Sequence, residues 1–490
     1  VTAGSMDSMV NHYTAAKRLR SDDAYTPEGR AGARPDYCTI TYCHILRQLY
    51  PDIPIVIGGI EASMRRLTHY DYWSDKLMPS ILVDSGADLL VYGMGEQAIR
   101  DIAACMSAKD IEALHSIPQT AYLTNDETQL PAETIRLASH EQAVRDKRVH
   151  AENFRLIEIE SNKIHQTTIV QTVGKQMVVV NPSYPPMSTE ELDGIYNLPF
   201  QYTPHPKYKD KHIPAYEMIK WSVCMHRGCF GGCSFCTISA HQGKQIVSRS
   251  KASILQQIKQ LSQLPDWHGV LSDLGGPSAN MYGMAGKDKS LCESCARASC
   301  LHPTICKNLN QQFGPIIDIY RTVDSLPYVK HAFVGSGIRY DLMSDAYARQ
   351  LITRHVSGRL KVAPEHCADK VLHLMRKPTW EKYLRFRQLF LSINEDAGLR
   401  QQLIPYFISS HPGCTKQEMK QLAIETQRMH YKPEQVQDFT PTPMTLSTTM
   451  FYTGINPYTK QPVYVARTAE EKKEQNQYFF WYKKPIHNRK

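Results

Sequence analysis

No run of roughly eighteen apolar residues occurs in the chain, so no membrane span is expected. There is no charged-then-apolar opening with a small-residue cleavage site, so nothing marks secretion. The first residues, VTAGSMDSMV, lack an initiator Met, and the expectation is that upstream sequence has been lost. There is no internal repeat and no low-complexity tract, which excludes solenoids and disordered arms. Nor is there a block of five or six like charges. The net charge of +9 is spread along the chain, so a mildly basic enzyme is expected before a dedicated nucleic-acid binder, and a nucleic-acid partner has no patch to support it.

What is present is length: 490 residues, 42% hydrophobic, with a mean hydropathy of −0.41. That is enough for several domains and large cores without covalent staples. Thirteen cysteines are unevenly placed, with seven of them in two short clusters. In a large chain with no secretion signal, such clusters point to metal or redox work in the cytoplasm and away from a disulfide framework.

The N-terminal part reads as α/β. YCTITYC (37–43), IPIVIGG (53–59) and ADLLVYGMGE (87–96) read as strands, with a helix at 98–106 between turns. A small doubly wound sheet is expected, with a polar and aromatic loop at 59–76. Residues 110–170 read as charged and helical. The proline-rich stretch 181–206 cannot be one regular element and reads as an ordered connector, which places the first domain at 1–215. Six strand candidates follow: 218–224, 269–274, 331–336, 359–364, 403–410 and 436–441, separated by helical patterns. One of those helices is capped by Ser250 and carries Ile254, Leu255, Ile258 and Leu261 on one face. Strand–helix alternation of this kind predicts a parallel sheet. Six units, against the eight of a closed barrel, predict an open (βα)6 partial TIM barrel over 216–455. Residues 456–490 read as a charged extension.

The segment CMHRGCFGGCSFC carries Cys229, Cys233 and Cys236 in C-x3-C-x2-C spacing, with Gly228, Gly231 and Gly232 leaving the backbone free to curl. Three soft thiolates on one loop suit a four-iron cluster with one iron open. A zinc site wants a fourth ligand, for which Cys224 is the nearest candidate. A second run, CESCARASCLHPTIC, carries Cys292, Cys295, Cys300 and Cys306 inside a long insertion at 277–313. Four thiolates there fit a second metal, zinc or iron–sulfur, and the spacing does not choose between them.

CFGGCSFC resembles the signature of radical S-adenosylmethionine (SAM) enzymes, with Phe235 at its aromatic position. Together with IPIVIGGIEASMRRLTHYDYWSDK, YPPMSTEELDGIY and PTPMTLSTTMFYTGINP, it is similar to the YgiQ-type radical SAM proteins from about residue 3 to about 465. The resemblance implies that Cys229, Cys233 and Cys236 hold a 4Fe-4S cluster whose open iron binds SAM, and that an electron donor such as flavodoxin or ferredoxin starts the reaction on an unknown substrate. It also implies Gly275 and Gly276 in LGGPSAN at the SAM amino group, although Pro277 stands where an acidic residue is usual. Ser336 would lie at the ribose and Arg339 at the carboxylate. Glu365 and His366 either face the cavity or form a surface turn. The N-terminal sheet is cobalamin-domain-like in outline, but no DxHxxG motif is present. The loop bearing Glu61, Arg65, Arg66, His69, Tyr70, Asp71, Tyr72, Trp73 and Asp75 is either substrate-facing or an inter-domain seal. His241, Lys244 and Arg249 either meet a substrate anion or are solvated. Two other readings stay open: a methylthio- or methyl-transferring enzyme acting on RNA or protein, and a zinc-stabilised binding protein without catalysis.

Overall fold

The computed structural model describes residues 1–110 and 112–483. Seven strands form the N-terminal sheet: β1 Thr2–Ala3, β2 Val56–Gly58, β3 Leu89–Val91, β4 Thr120–Thr124, β5 Thr134–Leu137, β6 Thr168–Val173 and β7 Gln176–Val180. Their order is β1-β2-β3-β4-β7-β6-β5. Where a small doubly wound sheet was expected, the sheet is mixed. The pairs β1–β2, β2–β3 and β5–β6 are parallel, and β4 runs antiparallel to both of its neighbours. Both faces are covered. Ile57, Leu90 and Val178 join one apolar cluster, while their neighbours Leu89, Val91 and Val179 join another on the opposite face. Burial on both sides is why these strands read as continuous apolar runs.

Two N-terminal expectations are corrected. Residues 37–43 are not a strand: Cys38–Leu49 is a helix, whose buried Thr39 and Cys43 lie one turn apart. The Thr/Ile alternation there is too short to separate a period of two from one of 3.6. Residues 110–170 are not mainly helical, since β4, β5 and the start of β6 lie among the helices His140–Arg145 and Lys147–Ser161. Here β-branched Thr and Ile outweigh the charges around them. The stretch 59–76 is not one loop. It contains the helix Gly59–Met64 and a hairpin that pairs His69–Asp71 with Lys76–Met78.

The second half supplies β8 Ser222–Cys224, β9 Val270–Leu271, β10 Asp273–Gly275, β11 His331–Ala332, β12 Arg359–Glu365, β13 Gln402–Ser409 and β14 Gln435–Asp438. All six strand candidates contain or overlap one of these. Every ladder among them is parallel: β8–β10, β9–β11, β12–β13 and β13–β14. Among the described residues no ladder joins β11 to β12. Val334 N–H donates to the His355 carbonyl at 2.9 Å at that position. The Ser250 helix forms over Lys251–Leu261, with the Ser250 hydroxyl accepting from Ser253 N–H and with Ile254, Ile258 and Leu261 fully buried.

The segment expected as a charged extension packs inward. Helix Ala469–Gln477 buries Lys472 and Gln475, and Phe479 enters the main core. Lys472 donates to the Tyr72 hydroxyl at 2.9 Å, and Gln475 donates to the Cys414 carbonyl at 2.8 Å. Residues 484–490 of that expectation lie outside the described residues.

Candidate functional site at the cysteine loop

β8 ends at Cys224, and a short strand, His226–Arg227, pairs back with Val247–Ser248. Between these two paired strands the chain makes the loop that carries Cys229, Cys233 and Cys236. Two of its glycines are required by close backbone approaches. Gly228 and Gly232 have φ of +86° and +58°, and a Cβ on either would lie 2.0 Å from a neighbouring carbonyl oxygen, that of Gln245 or Ala298. A Cβ on Gly231 would face Arg339 Nη1 at 3.1 Å and Cys229 Sγ at 3.3 Å, so the missing side chain leaves room beside the sulfur. Cys224 does not join the trio, because its thiol donates to the His226 carbonyl at 3.1 Å.

The loop is held from several sides. Ser234 N–H donates to the Met375 carbonyl at 3.0 Å, and the Ser234 carbonyl accepts from Ser447 N–H at 2.8 Å. The Ser234 and Ser447 hydroxyls meet at 2.7 Å, and Ser447 Oγ stands 2.7 Å from His411 Nε2. His411 Nδ1 lies 2.9 Å from the Pro412 carbonyl, which only accepts. Its Nδ1 therefore carries the proton, its Nε2 accepts from Ser447, and Ser447 accepts from Ser234. From the other side Ser299 Oγ donates to the Gly231 carbonyl at 2.7 Å, and Cys300 N–H donates to the Phe230 carbonyl at 3.0 Å. Phe235 is half-buried, with its ring 6.1 Å edge-on from His411.

Positive charge surrounds the sulfurs. Arg339 is buried and makes a two-pronged ion pair with Asp341 at 2.8 and 2.9 Å, and its Nη1 points at Cys233 Sγ from 3.7 Å. Asn280, fully buried, fixes the Arg339 backbone by accepting from its N–H and donating to its carbonyl, both at 2.9 Å. Lys377, which the sequence reading missed, is buried near the trio and lies 3.7 Å from Glu365. Burial, and next the neighbouring Cys233, push the Cys229 thiol up to about 11 and Cys236 up to about 12, while Lys377 pulls both back. Without a metal the Cys229 and Cys236 thiols are protonated at neutral pH, so a metal that binds them must displace those protons.

The expected nucleotide-side residues are partly brought together. Gly275 closes β10, and its carbonyl accepts from Met225 N–H at 2.7 Å. A Cβ on Gly275 would strike Ser336 Oγ at 2.5 Å, and one on Gly276 would strike the His226 ring at 2.5 Å. Ser336 donates to Asp273, which also accepts from the Gly335 and Ser336 N–H groups at 2.9 and 3.0 Å. Asp273 stands two residues before the glycine pair. The sequence reading looked for an acid only after the pair, at Pro277, and so overlooked it.

Other expectations separate. Glu365 is buried, and burial raises its carboxyl, with Lys377 opposing that. It is therefore no surface turn. His366, also buried, accepts at Nδ1 from Ala368 N–H at 3.0 Å, and its Nε2 lies 3.5 Å from Cys414 Sγ. Arg249 is neither solvated nor free for substrate: it is 1% exposed, bonded to Cys224, Ser253 and Gln257, and stacked 3.9 Å over Tyr196. The polar 59–76 segment is mostly an internal seal. Arg65 pairs with Asp7 at 3.0 Å, and Glu61 accepts from Ser8 and Thr39. Trp73 donates to Asp7, and Tyr70 stacks 4.8 Å from Tyr452. Arg66 is the exception. It lines a small cavity of about 50 Å³ together with Cys233, Cys236, Glu158, Arg376 and Met444, between the N-terminal sheet's helices and the cysteine loop. Arg376 and Glu158 close one wall with a two-pronged pair at 2.7 and 2.8 Å. His241 lines a neighbouring cavity of about 140 Å³ and lies 3.1 Å from the Ser63 hydroxyl.

Three of the buried histidines contribute to an acid limit. Burial pushes His150 and His366 down to about 4 and His411 to about 3. In the unfolded chain each takes a proton near pH 6.5, whereas the folded chain refuses it until near pH 4. Their stability contribution is therefore complete above about 6.5 and lost as pH falls toward 4, at about 1.4 kcal/mol per pH unit for each residue. The thermal unfolding midpoint is expected to drop between pH 7.5 and pH 5, and His150→Gln is expected to flatten that drop. A midpoint constant over this range contradicts the assignment.

The family described as "Radical SAM N-terminal" matches residues 1–222, and a domain of unknown function, DUF3362, matches residues 434–488. A UPF0313 protein of Bacteroides thetaiotaomicron is 57% identical over 99% of this chain and 82% of its own length. One from Porphyromonas gingivalis is 56% identical over 99% and 79%, and one from Methanocella arvoryzae is 47% identical over 96% and 79%. Among solved structures, the radical SAM methyltransferase TsrM from Kitasatospora setae, with tryptophan substrate and a SAM analogue bound, is similar at a TM-score of 0.48. It is 14% identical and covers 91% of this chain and 64% of that one. The cobalamin-dependent radical SAM enzyme OxsB is similar at a TM-score of 0.44 and 12% identity, covering 84% of this chain and 44% of that one. With such relatives matching almost from end to end, the chain belongs to the UPF0313 proteins and is a radical SAM enzyme.

Proposed function

We propose that Cys229, Cys233 and Cys236 hold a 4Fe-4S cluster at which SAM is cleaved, and that hydrogen is taken from a substrate in the cavity beside Cys233 and Cys236. The donor set fits: three soft sulfurs lie on one loop, Cys224 is turned away, and Gly231 leaves space beside the Cys229 sulfur. When bound, the cluster supplies the electron that splits SAM into methionine and a 5′-deoxyadenosyl radical. The chain's own residues orient and shield. Arg339, held by Asp341 and Asn280, offers a fixed positive charge at the Cys233 side of the loop, suited to the SAM carboxylate. Gly275 and Gly276 allow close approach of the amino acid moiety, and Ser336, set by Asp273, stands for the ribose. Phe235 and His411 shield the loop from water. Electrons would come from a flavodoxin- or ferredoxin-type donor in the cytoplasm.

In this reading the chain divides at 215 and 455 into an N-terminal domain, a (βα)6 partial barrel carrying the 277–313 insertion, and a C-terminal segment. The carrying observation is the Arg339 guanidinium 3.7 Å from Cys233, on a loop with three cysteines. The test is anaerobic reconstitution with iron and sulfide, then SAM and dithionite. 5′-Deoxyadenosine is the expected product, and its absence from a protein carrying its full iron complement would refute the reading.

A further inference from the structure

The second cysteine group lies against the first loop yet takes no part in the scheme above. Cys292, Cys295, Cys300 and Cys306 all line one cavity of about 660 Å³, together with the apolar side chains of Phe230, Ile246, Met284 and Leu309. Lys244 also enters it. This lysine is 6% exposed, and its ammonium donates to the Cys295 and Arg297 carbonyls at 3.0 and 2.9 Å and to Cys295 Sγ at 3.8 Å. Among the described residues no carboxylate stands at ion-pair distance from it. A buried ammonium without a counter-ion is costly. The nearest group that could answer its charge is the Cys295 sulfur at 3.8 Å, which carries negative charge when a metal holds it. Asn308 adds an N–H donor to Cys292 Sγ at 3.4 Å and is itself fixed by the Asp288 carbonyl at 2.8 Å. Such donors orient and tune metal-bound sulfur.

The geometry points to a cluster in preference to a single ion. Four sulfurs around zinc would each lie about 2.3 Å from one point. Here the four sulfurs line a space of about 660 Å³, far larger than one ion. In a four-iron cube each ligand sulfur belongs to a different iron, so the four stand farther apart around a larger space. We propose that Cys292, Cys295, Cys300 and Cys306 hold a second 4Fe-4S cluster, with Lys244 as its counter-charge. Its position adjoins the first site. Phe230, next in sequence to Cys229, lines this cavity, and its carbonyl accepts from Cys300 N–H.

The proposal stands independently of the reading of Cys229, Cys233 and Cys236, and one variant separates the two. The full chain carrying Cys229→Ala, Cys233→Ala and Cys236→Ala is reconstituted anaerobically with ferrous iron and sulfide, then assayed for iron, sulfide and zinc. About four irons and four sulfides per chain, with a reduced-cluster electron paramagnetic resonance signal, are expected to remain. Cys292→Ser combined with Cys295→Ser in the otherwise native chain is expected to lose that signal and keep about four irons. A folded triple variant with one zinc and no iron, or with no metal, overturns the proposal. If the triple variant does not fold, the Cys292→Ser, Cys295→Ser chain is compared with the native one: a loss of about four irons supports the second cluster and an unchanged iron content overturns it. Failure of the first-site reading would look different, since the triple variant would then bind as much iron as the native chain.

Discussion

Replacing Cys233 by alanine is expected to reduce 5′-deoxyadenosine formation to background while the far-ultraviolet circular dichroism stays unchanged. The sulfur is the middle member of the trio and the one that Arg339 faces at 3.7 Å. Two remaining cysteines leave a cube with two unligated corners, and no replacement is at hand because Cys224 is bonded elsewhere. The fold should survive, because the loop's anchors are the Ser234 contacts to Met375 and Ser447 and the Gly231 contact to Ser299, none of which uses the Cys233 side chain. Iron analysis beside product quantification gives the check. A variant that still releases 5′-deoxyadenosine at the native rate would remove Cys233 from the site.

The second large effect is on stability. Arg339 and Asp341 have side chains 8% and 1% exposed. Burial raises the Asp341 carboxyl, and Arg339 more than offsets it, holding it below the usual range. Arg339→Met leaves that carboxylate buried and unpaired, at a cost of about 3–5 kcal/mol. The double change Arg339→Met with Asp341→Leu removes both charges and is expected to recover most of the loss, because an apolar pair of similar volume spares two desolvations. Arg339→Lys should fall between, since it keeps the charge and loses the two-pronged fork. Urea unfolding followed by tryptophan fluorescence measures all three. A double variant no more stable than Arg339→Met would show that the pair matters through packing and not through charge.

The parts of the fold that could be read directly from the chain were those whose pattern is local. The six strand candidates of the second half and the Ser250 helix carry their period and cap within a dozen residues. The mixed character of the N-terminal sheet was not legible, because whether β4 pairs parallel or antiparallel depends on β3 and β7, far away in sequence. At the site, the three cysteines were visible because thiolate spacing is itself chemistry. Asp273 and Lys377 were not, since an acid before a glycine pair and a lysine before a proline are ordinary neighbours until the fold carries them to Ser336 and Glu365. Arg249 shows the opposite error: a charge among polar residues looks exposed, yet Tyr196, Gln257 and the Cys224 carbonyl enclose it.

The bonds that shape the cysteine loop come from residues 299, 300, 375 and 447, and the last is 213 positions beyond its partner Ser234. A chain emerging from the ribosome presents its three sulfurs long before those partners exist. The loop's arrangement is therefore finished late, by the last third of the polypeptide. On the proposed reading iron enters a loop whose last bonds form well after its sulfurs, and a chain cut short before residue 447 would keep all three sulfurs but lose the Ser447 bonds to Ser234 and His411.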